Sequence, residues 1–140
     1  MFQPRSANAI KTAGPRRPPP VILVVEDDAD NRLMLKTLLE MKGYRVTEAG
    51  NGEEALAALE REPPQLILMD LQLPRLNGFA VARRVRQGDG SRDVPIIVVS
   101  GHDPAKHRQL AIAAGCNDYL LKPIDFDRLE EILSRLLPVP

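Results

Sequence analysis

Leu66-Ile67-Leu68-Met69-Asp70-Leu71-Gln72-Leu73-Pro74 is the stretch from which the fold can be read. Four apolar residues in succession describe a strand buried on both faces, and the run ends on a carboxylate. A Pro-marked turn follows at once, so Asp70 is expected at the C-terminal edge of the strand rather than inside the sheet. In open α/β sheets that edge is where ligands bind.

The segments on either side repeat the pattern. Val21–Val25 is a β-branched apolar run that ends in Glu26-Asp27-Asp28. Ala29–Lys42 carries Met34, Leu35, Leu38, Leu39 and Met41 at helical spacing, with Gly43 placed to cap it. Tyr44–Glu48 alternates and is expected as an edge strand. Asn51-Gly52 opens a helix over Glu53–Glu62, with Ala55, Leu56 and Leu59 on one face, and Pro63-Pro64 stops it. After Asn77-Gly78, residues Phe79–Gln87 read as a helix, and Gly88–Asp93 as a polar loop. Pro95–Val99 is a fourth strand ending at Ser100-Gly101. A helix from Pro104 to Ala114, capped by Gly115, leads to a fifth strand, Asp118–Leu121, ending at Lys122-Pro123. Asp125 can N-cap a last helix over Phe126–Leu137, with Leu129, Ile132, Leu133 and Leu136 inward.

This strict alternation predicts an α/β fold, a doubly wound (βα)5 sandwich with a parallel five-stranded sheet. The flavodoxin-like order 2-1-3-4-5 fits best, because strand 2 is the least apolar and belongs at an edge. Parallel strands bring their C-terminal ends to one rim. Glu26, Asp27, Asp70, Ser100 and Lys122 are therefore expected together, with adjacent strands about 4.8 Å apart. Three crowded carboxylates repel one another and call for a cation. Hard oxygen ligands with positions left for water and phosphate favour Mg2+. A dication, the Lys122 ammonium and the Ser100 hydroxyl make a pocket for a phosphoryl group, with the central carboxylate as nucleophile. Asp28 and Asp30 read as turn or cap residues. Taken singly, a Lys before Pro or a Ser-Gly pair is equally a plain loop feature; their convergence on one rim carries the argument.

Composition agrees with one globular domain. Of 140 residues, 44% are hydrophobic and 27% charged, and no apolar run is long enough to span a bilayer. One cysteine, Cys116, excludes an internal disulfide framework and a cysteine-rich zinc site, and a cytoplasmic location is the default expectation. Cys116 reads as a small packed residue, and His107 as a helix-surface residue. The net charge is zero, but Arg5, Lys11, Arg16 and Arg17 fall in a segment without acidic residues. Residues 21–140 then hold fifteen basic against nineteen acidic residues, a net charge of −4. An acidic body argues against nucleic acid as the main partner. Residues 1–20 lack apolar periodicity and end in a proline run, and are expected to be a disordered basic tail. A docking segment for a proline-recognising or acidic partner, and a start codon farther downstream, are the alternatives.

Val24-Val25-Glu26-Asp27-Asp28, Met69-Asp70-Leu71-Gln72-Leu73-Pro74 with Gly78, Val99-Ser100-Gly101 and Tyr119-Leu120-Leu121-Lys122-Pro123 together resemble the receiver domain of two-component response regulators. The resemblance covers residues 21 to about 137 in order, leaving 138–140 as a short tail. It implies that Asp70 accepts a phosphoryl group from a histidine kinase or histidine phosphotransfer protein. It implies that Glu26, Asp27, Asp70 and the Gln72 backbone carbonyl hold Mg2+, and that Ser100 and Lys122 bond the phosphoryl oxygens. Ser100 and Tyr119 match the switch pair, and the Lys122-Pro123 bond is expected to be cis. Gln72 and His102 match positions that tune phosphate loss. The implied output is binding of a downstream protein at helix 4, strand 5 and helix 5, by a monomer or weak homodimer, with neither nucleic acid nor membrane as partner. Only Pro138-Val139-Pro140 follows the last helix, which suggests a stand-alone receiver.

Two other classes compete with this reading. Aspartate-nucleophile phosphohydrolases use Asp-x-Asp, but the second position here is Gln72, which cannot serve as their general acid. A non-phosphorylated adaptor of the same fold would lack part of the acidic set. A dinucleotide site is excluded by the absence of Gly-x-Gly-x-x-Gly after the first strand.

Overall fold

The computed structural model describes residues 18–73, 77–101 and 104–137. Within them, strands and helices alternate as β1 (Val21–Val25), α1 (Ala29–Met41), β2 (Arg45–Ala49), α2 (Gly52–Arg61), β3 (Leu66–Asp70), α3 (Gly78–Gln87), β4 (Ile96–Ser100), α4 (Pro104–Ala113), β5 (Asp118–Leu121) and α5 (Phe126–Leu136). All strand pairs are parallel and the sheet order is β2-β1-β3-β4-β5, the order expected from the sequence. Residues 1–17, 74–76, 102–103 and 138–140, which include most of the expected tail, the Pro74 turn and His102, lie outside the described residues.

The two-residue period of the strands sorts the core into two layers. Ile22, Val24, Leu66, Leu68, Ile97, Val99 and Leu120 pack with Leu35 and Leu39 of α1 and with Leu129, Ile132 and Leu133 of α5. The intervening residues Leu23, Val25, Ile67, Met69, Ile96, Val98 and Tyr119 pack with α2, α3 and α4 through Ala55, Ala58, Val81, Ala82, Val85 and Ala111. A sheet covered on both faces explains why β1, β3 and β4 are continuous apolar runs. β2 is an edge strand and only its last residue, Ala49, is fully buried.

Helix ends follow local chemistry. Asp28, Asn51, Asn77 and Asp125 cap α1, α2, α3 and α5 by accepting backbone N–H groups. After α1, Gly43 at φ +98° lets its N–H reach the Glu40 carbonyl while the Tyr44 N–H reaches that of Leu39. Gly115 at φ +96° repeats this after α4, with Gly115 bonding Ile112 and Cys116 bonding Ala111. The Lys122-Pro123 bond is cis.

Several expectations need correction. Of the apolar residues spaced along α1, Leu35 and Leu39 are buried, whereas Met34 and Met41 are exposed. β2 and β4 each lie one residue later than expected, so Ser100 belongs to β4 itself. The 88–93 loop is polar as expected, but Ser91 within it is buried and donates to the Val85 carbonyl at 2.6 Å. At α5 it is Leu137, just past the helix, that is buried, and Leu136 is only partly so.

Gly78 is set by close approach. A Cβ there would lie 3.1 Å from the Asp70 carbonyl oxygen and 3.1 Å from Leu71 Cα, both backbone atoms that cannot swing aside. Gly78→Val is expected to destabilise the fold by about 2 kcal/mol, through strain at the residue that carries the Asp70 peptide. Chemical unfolding measures this; an unchanged midpoint would show that the approach is slack.

Candidate functional site

The ladder register assembles the site. Val25 lies opposite Met69, so Glu26 and Asp70, the next residue on each strand, come side by side. Asp70 lies opposite Val99 and Ser100 opposite Leu121, and the Lys122 amide donates to the Ser100 carbonyl at 2.8 Å. Pleating then divides the side chains. Glu26, Asp70 and Lys122 fall in phase with Val24, Leu68 and Leu120, which face α1 and α5, whereas Ser100 and Tyr119 fall in phase with the α2–α4 layer.

Glu26, Asp27 and Asp70 each offer a carboxylate oxygen, and these atoms lie within 4.8 Å of one another. Lys122 Nζ donates to Asp70 Oδ2 at 2.6 Å and to Glu26 Oε1 at 3.4 Å. The second Asp70 oxygen, Oδ1, accepts the Gln72 amide at 2.9 Å, so both lone-pair faces of this carboxylate are anchored. Glu26 and Asp70 are buried, while Asp27 is exposed at the mouth. Burial, and then the Asp70 charge, raise the Glu26 carboxyl above its ordinary value, against the opposing pull of the Asp28 amide and Lys122. Burial by itself would lower the Lys122 ammonium. The hydrogen bond and charge of Asp70, followed by Glu26, outweigh it, and the net shift is upward. Lys122 is therefore a fixed cation at neutral pH.

One ammonium among three carboxylates leaves the cluster short of positive charge. The donor set is all hard oxygen, which fits a small dication such as Mg2+ far better than a soft metal.

The other residues singled out in the sequence divide clearly. Ser100 is fully buried and Tyr119 nearly so, the latter packed in the layer that includes Ala111, Ala114 and Cys116. Gln72 is exposed beside the cluster, and His102 lies outside the described residues. Asp28 is a helix cap that accepts from the Asp30 and Asn31 amides. His107 is not a plain surface residue: it is half-buried, with its ring 6.5 Å from that of Phe79 in α3. Cys116 is buried and its thiol is pushed up to about 11 by desolvation, which keeps it protonated and unreactive near neutrality.

Two arginines escaped the sequence reading. Arg32 donates to the Glu26 carbonyl at 2.7 Å and lies 3.4 Å from Glu48. Arg86 gathers the carbonyls of Gly115, Arg92 and Val94 and the Asn117 side chain, tying the end of α3 to the turns before β4 and β5. Neither breaks the polar pattern of its helix face. The one signal for Arg32 was a cation in the first turn of a helix, where the dipole disfavours it.

Comparison with known proteins gives a consistent picture. The sequence model described as the response regulator receiver domain matches residues 22–134. The chain is 43% identical over 104 residues to an uncharacterized 14.6 kDa protein of Leptolyngbya boryana, covering 74% of this chain and 79% of that one. It is 40% identical over 116 residues to response regulator MprA of Mycobacterium leprae, covering 82% of this chain but 48% of that protein. Among solved structures it resembles the receiver domain of sensor histidine kinase PA1611 from Pseudomonas aeruginosa. The TM-score is 0.79 at 36% identity, over 86% of this chain and 99% of that one. That crystal structure has a magnesium ion coordinated in the active site cleft.

Proposed function

The chain belongs to the response regulator receiver family of two-component signalling, and on that premise we propose that it accepts a phosphoryl group on Asp70 in the presence of Mg2+. The donor is a histidine kinase or histidine phosphotransfer protein. The observation that carries the proposal is the Glu26, Asp27 and Asp70 cluster with Lys122 Nζ 2.6 Å from Asp70. In the reaction an Asp70 carboxylate oxygen attacks phosphorus as the bond from phosphorus to the donor's imidazole nitrogen breaks, and that nitrogen leaves with the electron pair. Glu26, Asp27, Asp70 and the Gln72 carbonyl would hold Mg2+, which supplies charge neutralisation for the phosphoryl oxygens. Lys122 holds the carboxylate in place and then pairs with a phosphoryl oxygen, and the Ser100 hydroxyl donates to another.

The signal then leaves through protein binding. Ser100 and Tyr119 lie on one face of the sheet, so drawing Ser100 toward the phosphoryl group shifts the population of packings around Tyr119 and α4. Tyr119 is buried in that layer, where such a change in packing would be felt. The proposed output surface is α4, β5 and α5, where Leu110, Ile112 and Leu121 are exposed. Gln72, beside the cluster, and His102 are proposed to set the phosphate lifetime; an unchanged decay of the adduct after substitution of both would remove that role.

The test is incubation with acetyl phosphate, with Mg2+ or with a chelator, followed by intact-mass analysis. One phosphoryl increment that needs the metal is the expected result; no increment, or one indifferent to chelation, would overturn the proposal.

A further inference from the structure

Besides its contact with Lys122, Glu26 is held at three points. Its amide donates to the Ala49 carbonyl at 3.0 Å, its Oε2 accepts the Asp28 amide at 3.1 Å, and its main-chain carbonyl accepts Arg32 Nη1 at 2.7 Å. That last group belongs to the peptide joining Glu26 to Asp27. Fixing the peptide plane fixes the direction from which both carboxylates enter the site.

Arg32 reaches this carbonyl because it lies in the first turn of α1, where its own amide bonds the Asp28 carbonyl and side chains lean toward the N-terminus. The location is electrostatically poor for a cation: it faces the positive end of the helix dipole. Glu48 on the neighbouring edge strand corrects this, with Oε1 3.4 Å from Arg32 Nε and Oε2 4.0 Å from Lys36. A planar fork can reach a carbonyl with one nitrogen and a carboxylate with another; a single ammonium cannot hold both in the same geometry.

We propose that Arg32 is a positioning residue for the divalent-metal site, and that Glu48 cancels its charge so that the acidic cluster keeps its full attraction for the cation. This rests on the metal-dependent reading above. The guanidinium orients the ligand-bearing peptide, and β2, which contributes no carboxylate to the cluster, supplies the counter-charge.

Titration calorimetry with Mg2+ alone, on wild type, Arg32→Lys and Glu48→Gln, tests it. Arg32→Lys is expected to weaken Mg2+ binding about tenfold, the lower end of the effect for groups that orient metal ligands. Its phosphorylation rate by acetyl phosphate should return close to wild type at saturating Mg2+, so that the loss lies in metal affinity and not in maximal rate. Glu48→Gln should weaken binding about threefold through the uncancelled charge, and the loss should shrink as salt rises. Unfolding midpoints in chelator report on the fold separately. Affinities within about twofold of wild type in both variants would overturn the inference while leaving the function intact, since such orienting groups ordinarily do more. A rate that stays low at saturating Mg2+ would also overturn it. Wild type that binds no Mg2+ would remove the functional reading itself, and the inference with it.

Discussion

Asp70→Asn is expected to give no phosphoryl adduct under conditions that fully label the wild type. An amide oxygen carries no negative charge and is a far weaker nucleophile toward phosphorus than a carboxylate, and the amide nitrogen's lone pair is delocalised into its carbonyl. The substitution is nearly isosteric but leaves one acceptor oxygen where there were two, so the Gln72 amide keeps its bond to Oδ1 while Lys122 loses its partner at Oδ2. Metal-free stability should rise, on the order of 1 kcal/mol, because one of three mutually repelling carboxylates loses its charge while Lys122 can still serve Glu26. Thermal unfolding in chelator measures this. A marked fall in stability would show that the Lys122–Asp70 pair outweighs the crowding.

Lys122→Met should separate binding from chemistry. Without the ammonium, the cluster becomes more negative, and Mg2+ is expected to bind more tightly. Phosphorylation should nevertheless slow by about 10^2-fold or more, as happens when a preorganised donor to developing charge is removed. Stability in the absence of metal should drop by about 1–3 kcal/mol, since Glu26 and Asp70 are buried and would have no cation beside them. Lys122 is itself a third exposed, which argues for the lower half of that range. A variant labelled at the wild-type rate would show that the ammonium is a structural counter-ion only.

The fold was legible because each buried strand is a short apolar run bounded by turn chemistry, and because strand 2 advertises its edge position by its polarity. Right-handed crossovers leave few topologies, and that edge position selects the order β2-β1-β3-β4-β5 among them. Within that frame the rim residues Glu26, Asp27, Asp70 and Lys122 were expected together, since each lies at or just past the end of a strand. The three carboxylates each bring an oxygen within 4.8 Å of the others, with Lys122 bonded to two of them. Periodicity was least informative where a helix is covered on a narrow stripe. It marked five apolar residues along α1 as a helix without saying which face the sheet, and α1 buries only Leu35 and Leu39, one turn apart. It also treated His107 as surface, although α4 brings that ring toward Phe79 of α3, a tertiary relation that no local pattern encodes.

The polar groups that reach backward along the chain or across it were the hardest to see. Arg32 turns back to a carbonyl six residues earlier, and Arg86 bridges to Gly115, twenty-nine residues on. Both look like ordinary solvated arginines in sequence. Ser91 is similar: in a loop of Gly, Asp and Arg it reads as solvent-facing, yet its hydroxyl satisfies the Val85 carbonyl at the end of α3. Such hydrogen bonds to main-chain oxygens are set by where the backbone passes, which only the assembled fold specifies.

The most direct measurement is chemical mapping of the acceptor. The full chain is labelled briefly with acetyl phosphate and Mg2+, then reduced with borohydride, which converts an aspartyl phosphate to homoserine, and the peptides are sequenced by mass spectrometry. Homoserine at position 70 and at no other aspartate is the predicted result. Homoserine at Asp27 or at another carboxylate, or a phosphoryl group retained on a histidine with Asp70 unaltered, would contradict it.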